Sequence, residues 1–177
     1  RALRRRTRET LRSLGGRPHL VRYFHQVDDP YSHLAAQLLA PLLARYDIEL
    51  EPHLVGPPAD AAAPDRDRLV AYSRLDAARV AAARDLRFHV ASSQPPADLV
   101  ARANELLANA PTARAFADLA PRVGSALWSG SADELEALRR AHASEPSRDA
   151  AAAVRRGESL RAKHGHYLGA VFAYEGE

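Results

Sequence analysis

The run His19-Leu20-Val21-Arg22-Tyr23-Phe24-His25-Gln26-Val27-Asp28-Asp29-Pro30-Tyr31-Ser32 decides the fold. Its first half, Leu20 to His25, is rich in β-branched and aromatic residues and reads as a strand. At Asp29-Pro30 the period changes. Apolar residues then fall at Tyr31, Leu34, Ala35, Leu38, Leu39, Leu42, Leu43 and Tyr46, the spacing of one helical face. Asp29 stands at the N-cap, where a carboxylate accepts unpaired amide hydrogens of the first turn. Pro30 follows at the first helical position, where a missing N–H costs nothing. Ile48 to Val55 then alternates as a second strand. Strand, helix and strand in this order predict a βαβ unit with parallel strands and a right-handed crossover.

Beyond Val55, Gly56-Pro57-Pro58 and the loop Ala59 to Pro64 mark a boundary. Helical stretches follow over Asp67–Arg87, with Leu69, Val70, Leu75, Ala78, Val80 and Ala81 as apolar members, and over Ala97–Asn109. Further stretches run from Thr112 to Trp128, where Pro121 is a candidate interruption, and over Ala132–His142 and Arg148–Lys163. Ser131-Ala132-Asp133-Glu134 is a capping box for the fourth of these. His166 to Tyr174 reads as a returning strand. Pro41 falls inside the first helix, but Leu42, Leu43 and Tyr46 stay in phase across it. It predicts a kink, since an interior proline removes one backbone hydrogen bond.

Composition excludes several functions. With no cysteine the chain can form no disulfide, thiolate metal site or thiol redox cycle of its own. No apolar run reaches the roughly 18 residues of a membrane span. No methionine occurs, so the natural N-terminus is expected to be absent or processed. The net charge of +3 is uneven. Residues 1–17 hold seven arginines and one acid, which leaves 18 basic and 21 acidic residues for the rest. The high isoelectric point therefore belongs to the tail, and the mildly acidic body offers no general case for nucleic acid. The tail is a candidate for weak contact with an acidic membrane surface, or simply a solvated helix.

The stretch Tyr23 to Ala35 resembles the opening of the DsbA-like branch of the thioredoxin fold. It is similar above all to 2-hydroxychromene-2-carboxylate isomerases and kappa-class glutathione transferases. Redox members of that branch open the helix with Cys-Pro-x-Cys. The isomerases and transferases use Ser-Pro-x-Ser, whose first serine holds the thiolate of glutathione. Here the four positions are Asp29, Pro30, Tyr31 and Ser32. Leu69-Val70-Ala71-Tyr72-Ser73-Arg74, Ala126-Leu127-Trp128 and His164 to Phe172 carry the likeness further along the chain. The resemblance implies an α/β, thioredoxin-like fold interrupted by a large all-helical insertion. Its parts would be a basic arm (1–17), a βαβ half (18–58), the helical insertion (59–163) and a returning strand (164–177). The family's last strand and helix would be absent. Ala170 stands where the family has a cis-proline.

What the resemblance implies for function is a glutathione-dependent isomerase or transferase acting on an aromatic substrate, with glutathione as cofactor. Asp29 and Ser32 are then the catalytic positions. Pro30, Tyr31, His25, His33 and Ala170 would line the substrate or cofactor site. The alternative is a non-catalytic member that binds a ligand or a protein, which Asp29 and the missing thiols favour. A carboxylate and a thiolate about 4 Å apart repel by about 4 kcal/mol at an effective dielectric near 20. Glutathione would bind as the neutral thiol, or Asp29 would be protonated, or the site would not take it; the other reading is that Asp29 is only a helix cap. His25, His33 and His53 lie on a strand, a helix and a second strand with no fixed ligand spacing, so no metal is assigned. A small molecule in the cleft between the two halves, a homodimer and a cytoplasmic location complete the expectations.

Overall fold

Strand β1 (His19–His25), helix α1 (Pro30–Arg45) and strand β2 (Ile48–Leu54) open the computed structural model, which describes residues 18–90, 92–142 and 148–174. β1 and β2 pair in parallel, from His19 opposite Ile48 to His25 opposite Leu54. A short 3₁₀ turn at Asp60–Ala62 leads into α2 (Arg66–Ala83), α3 (Ala97–Ala108), α4 (Ala113–Trp128), α5 (Ala132–Ala141) and α6 (Ala150–Lys163). The chain then re-enters the sheet as β3 (Val171–Tyr174), antiparallel to β1. The described residues thus form an α/β architecture with a mixed three-stranded sheet in the order β2-β1-β3. The basic arm and residues 175–177 lie outside the described residues.

Side-chain caps fix where most of the helices begin. Asp29, Thr112, Ser131 and Asp149 each accept the amide hydrogen of the residue three positions on, a contact that typically contributes about 1 kcal/mol. α1 runs through Pro41 and α4 through Pro121 without interruption.

The core is centred on α4, which buries Phe116, Ala117, Leu119, Ala120, Val123, Leu127 and Trp128. It joins α1 through Ala36 and Leu39 and the sheet through Tyr23, Leu50 and Leu54. Gly124 permits this approach. A Cβ there would lie 2.2 Å from His33 Nδ1. Tyr23 and Phe172 face one another across β1 and β3, their rings stacked at 4.6 Å.

Three expectations are corrected. First, the buried arc of α1 overlaps the apolar stripe, with Leu34 and Leu39 buried and Tyr31, Ala35, Leu42 and Leu43 half-buried, but is displaced to one side of it. It holds Ser32, His33, Leu34, Ala36 and Leu39, while Leu38 and Tyr46 are 50% and 53% exposed. α1 lies between α2 and α4, and the glycine at 124 draws the small and polar side of the helix inward. Second, α2 ends at Ala83 and not Arg87, and Asp85 just beyond it has a positive φ. Of its apolar members only Ala81 joins Ala77 in burial; Leu69, Leu75 and Val80 are exposed. Third, β3 spans only Val171–Tyr174 and not His166–Tyr174. Gly165 and Ala170 have φ of +75° and +54°, a backbone no strand accommodates.

Candidate functional site

The turn from β1 into α1 is held by a closed set of hydrogen bonds. Asp29 Oδ2 accepts the amide hydrogen of Ser32 and the hydroxyl hydrogen of Ser32, both at 2.8 Å. The Ser32 hydroxyl oxygen in turn accepts the amides of Gln26 at 3.2 Å and Ala170 at 2.9 Å. A serine hydroxyl has one hydrogen to give and two lone pairs to receive. All three are used, in a side chain fully shielded from solvent. Ser32 therefore ties the end of β1, the first turn of α1 and the approach to β3 at one atom.

Ala170 meets this tie with a left-handed backbone, which costs a non-glycine residue roughly 1–2 kcal/mol and which proline cannot adopt. It gives Ser32 an N–H that proline would lack. Gly169, next to it, passes so close that an added Cβ would lie 2.8 Å from Ser32 Oγ and 3.0 Å from Asp29 Oδ2.

A buried polar file runs behind the turn. The Tyr23 hydroxyl donates to the carbonyl of Ser32 at 2.9 Å and lies 2.9 Å from His25 Nδ1. Its single hydrogen is spent on the carbonyl, so Nδ1 of His25 carries the proton and donates to the phenol. Burial, with His33 nearby as a smaller cause, pushes His25 down to about 3. Burial also pushes His33 down to about 4, against an opposing pull from the Arg87 carbonyl. Both rings are neutral near pH 7. Burial first, and the charge of Asp29 second, push the Tyr23 phenol well above its usual value.

On the solvent side of the turn lies a cleft of about 340 Å³. Its apolar walls are Pro30, Tyr31, Pro57, Pro58, Leu69, Val70 and Leu168, and its polar groups include Gln26, Asp28, Asp29, Arg66, Asp67 and Gln94. Asp29 is half-buried. Burial raises its carboxyl above the usual value, against the lowering effect of the Ser32 hydrogen bonds. Tyr31 donates its hydroxyl to Asp76 Oδ2 at 2.6 Å, and burial and this bond raise its phenol too.

Of the residues singled out from the sequence, Asp29, Pro30 and Tyr31 line the cleft. Ser32 and Ala170 stand behind them as the tie, while His25 and His33 belong to the core. His53 stacks on Phe24 at 5.4 Å, and His164 lies 6.0 Å from the same ring, so neither lines the cleft. Among the described residues no three histidine, aspartate or glutamate side chains gather as a metal site. Sequence reasoning missed the contribution of α2 and of Gln94. The adjacent apolar residues Leu69 (exposed) and Val70 (half-buried) near the start of α2 were the available signal. Also among the described residues, no helix is long and apolar enough to cross a membrane. The chain matches no protein-family model and no curated protein.

Proposed function

We propose that the chain is a thioredoxin-like protein of the DsbA branch, with α2 to α6 as its helical insertion, and that it binds a small molecule with an apolar or aromatic body in the cleft. The order of elements supports the fold: a parallel βαβ unit, five helices, then a strand returning antiparallel beside the first. One observation carries the function. The cleft opens at the N-terminus of α1, as a ligand site on this frame should, yet the Ser32 hydroxyl behind it has no hydrogen left to give. A thiolate needs such a donor. Asp29 offers an acceptor in its place, so ligand binding without an activated glutathione is the better supported reading. With no cysteine, thiol–disulfide exchange is not available to this chain.

A second reading draws on Asp29 itself. A carboxyl whose proton affinity is raised by burial, at the wall of an apolar cleft, is suited to general acid–base work. That keeps an isomerase open, with glutathione, if present, bound as the neutral thiol. Titration calorimetry separates the readings, using glutathione, S-methylglutathione and a neutral aromatic alcohol as ligands. Binding of the aromatic alcohol with no heat from either tripeptide supports the ligand-binding reading. Glutathione binding that strengthens in Asp29→Ser overturns it in favour of the glutathione-dependent enzyme.

A further inference from the structure

We propose that the cleft selects an organic cation, a protonated amine carried on an aromatic or aliphatic body. This rests on the cleft being the ligand site, as proposed above, and adds the charge and polarity of what enters it.

The case starts from a census of hydrogen-bonding groups on the cleft wall. Each donor-bearing side chain on it already spends at least one hydrogen on the chain itself. Arg66 Nη2 reaches the carbonyl of Pro58 and Asp60 Oδ1. Gln94 Nε2 donates to the Asp28 carbonyl at 3.0 Å, and Gln26 Nε2 to Asp28 Oδ1 at 3.1 Å. The hydroxyls of Tyr31 and Ser73 are spent on Asp76 and on the Leu69 carbonyl.

The acceptors are not spent. Asp67 has no partner among the described residues, and one oxygen of Asp28 is left over. Gln26 is the sharper observation. It is only 7% exposed, it lines the cleft, and its side-chain carbonyl accepts nothing from the described residues. That oxygen is open to the cleft rather than sealed behind it, so a ligand hydrogen can take the place of water there. A ligand that brings hydrogens fits this wall better than one that brings acceptors.

Charge points the same way. Asp28, Asp29 and Asp67 face the cleft against one cation, Arg66, which Asp60 already pairs at 2.7 Å. Two helix N-termini also open here, and by themselves they would favour an anion. Each is answered by the chain: Asp29 caps α1, and Asp67 sits in the first turn of α2. Tyr31 adds an aromatic wall that can take an ammonium over its face, beside Pro30, Leu69 and Val70 for the apolar body.

The test compares three ligands of one shape: phenethylamine, phenethyl alcohol and 3-phenylpropionate, at pH 7 and low salt, by calorimetry or by shifts of cleft amides in NMR spectra. Wild-type protein should bind the ammonium at least tenfold more tightly than the alcohol, with the carboxylate weakest. Asp67→Asn should cost the ammonium about tenfold and the alcohol much less. Asp67→Lys should remove the preference altogether. Asp67 has no hydrogen-bond or ion-pair partner among the described residues, and circular dichroism checks that both variants stay folded. Equal binding of ammonium and alcohol, or preference for the carboxylate, overturns the inference while leaving the cleft a ligand site. No binding of any of the three overturns both this inference and the ligand-binding reading.

Discussion

The amide of Ala170 donates to the hydroxyl oxygen of Ser32 at 2.9 Å, across 138 positions of sequence. This bond fastens the chain's return to the sheet onto the first turn of α1. The left-handed backbone of Ala170 begins at this anchored amide.

Ser32→Ala removes the common atom of the network. The amides of Gln26 and Ala170 lose their partner, and Asp29 loses one of its two donors. Unpaired buried groups cost roughly 1–3 kcal/mol each, and partial rehydration will recover some of it. The expected loss is about 3 kcal/mol in the unfolding free energy from urea titration. A loss below about 1 kcal/mol would mean the network contributes little.

Replacements at Ala170 should split in sign. Glycine relieves the left-handed strain, less its own greater entropy in the unfolded chain, so Ala170→Gly should be neutral or stabilising by up to about 1 kcal/mol. Ala170→Pro should cost about 3 kcal/mol or more, because proline fixes φ near −65° and has no N–H. Melting temperatures of the two variants decide it. A stable Ala170→Pro protein would show that this turn can adopt another backbone.

Acid should unfold the protein early. His25 and His33 are held down to about 3 and about 4 in the folded state, against roughly 6.5 in an unfolded chain. A depressed folded value means the unfolded state takes protons first. The stability is thus whole above about pH 6.5 and is lost as pH falls toward the folded values. Two such groups give a slope of up to about 2.7 kcal/mol per pH unit. Asp29, whose folded value is raised, works in the opposite direction and offsets part of it. Urea unfolding at pH 7, 6, 5 and 4 measures the slope, and His33→Gln should roughly halve it. A flat profile between pH 6 and 4 would place these rings in water.

The βαβ unit was legible because its signals are local. The period switches at Asp29-Pro30, the cap and proline stand at consecutive positions, and every partner of the pattern lies within a few turns. The cap at Ser131 was legible for the same reason, although the Ser131 amide donates to the Ala126 carbonyl and not to Glu134. What failed was longer in range. The apolar stripe of α1 found Leu34 and Leu39 but not Ser32, His33 and Ala36, because the helix turns toward Gly124, a residue 91 positions from His33 whose small size matters only once α4 is placed. The returning strand was read too long because alanine at 170 carries no mark of a positive φ. The cleft draws on five separate stretches, from Gln26 to Gly169, so no window of sequence contains it. The turn at Asp29 could be found by reading, but the role of Ser32 could not, since its partners Gln26 and Ala170 meet only in the fold.

Gly169 offers the most selective probe of that meeting point. A methyl group at this position would lie 2.8 Å from Ser32 Oγ and 2.9 Å from Gln26 Cβ, closer than carbon tolerates, and a tight 3.0 Å from Asp29 Oδ2. The pre-β3 turn must then move away from α1, and the Ala170 amide with it. Gly169→Ala should destabilise the protein by about 1–3 kcal/mol, as overpacking generally does. It should also release the Ala170 amide to hydrogen exchange. Paired with Ser32→Ala, it should cost much less than it does alone, because the atom it strikes is gone and the Ala170 bond is already lost. Full additivity of the two changes would show that Gly169 and Ser32 do not share one constraint.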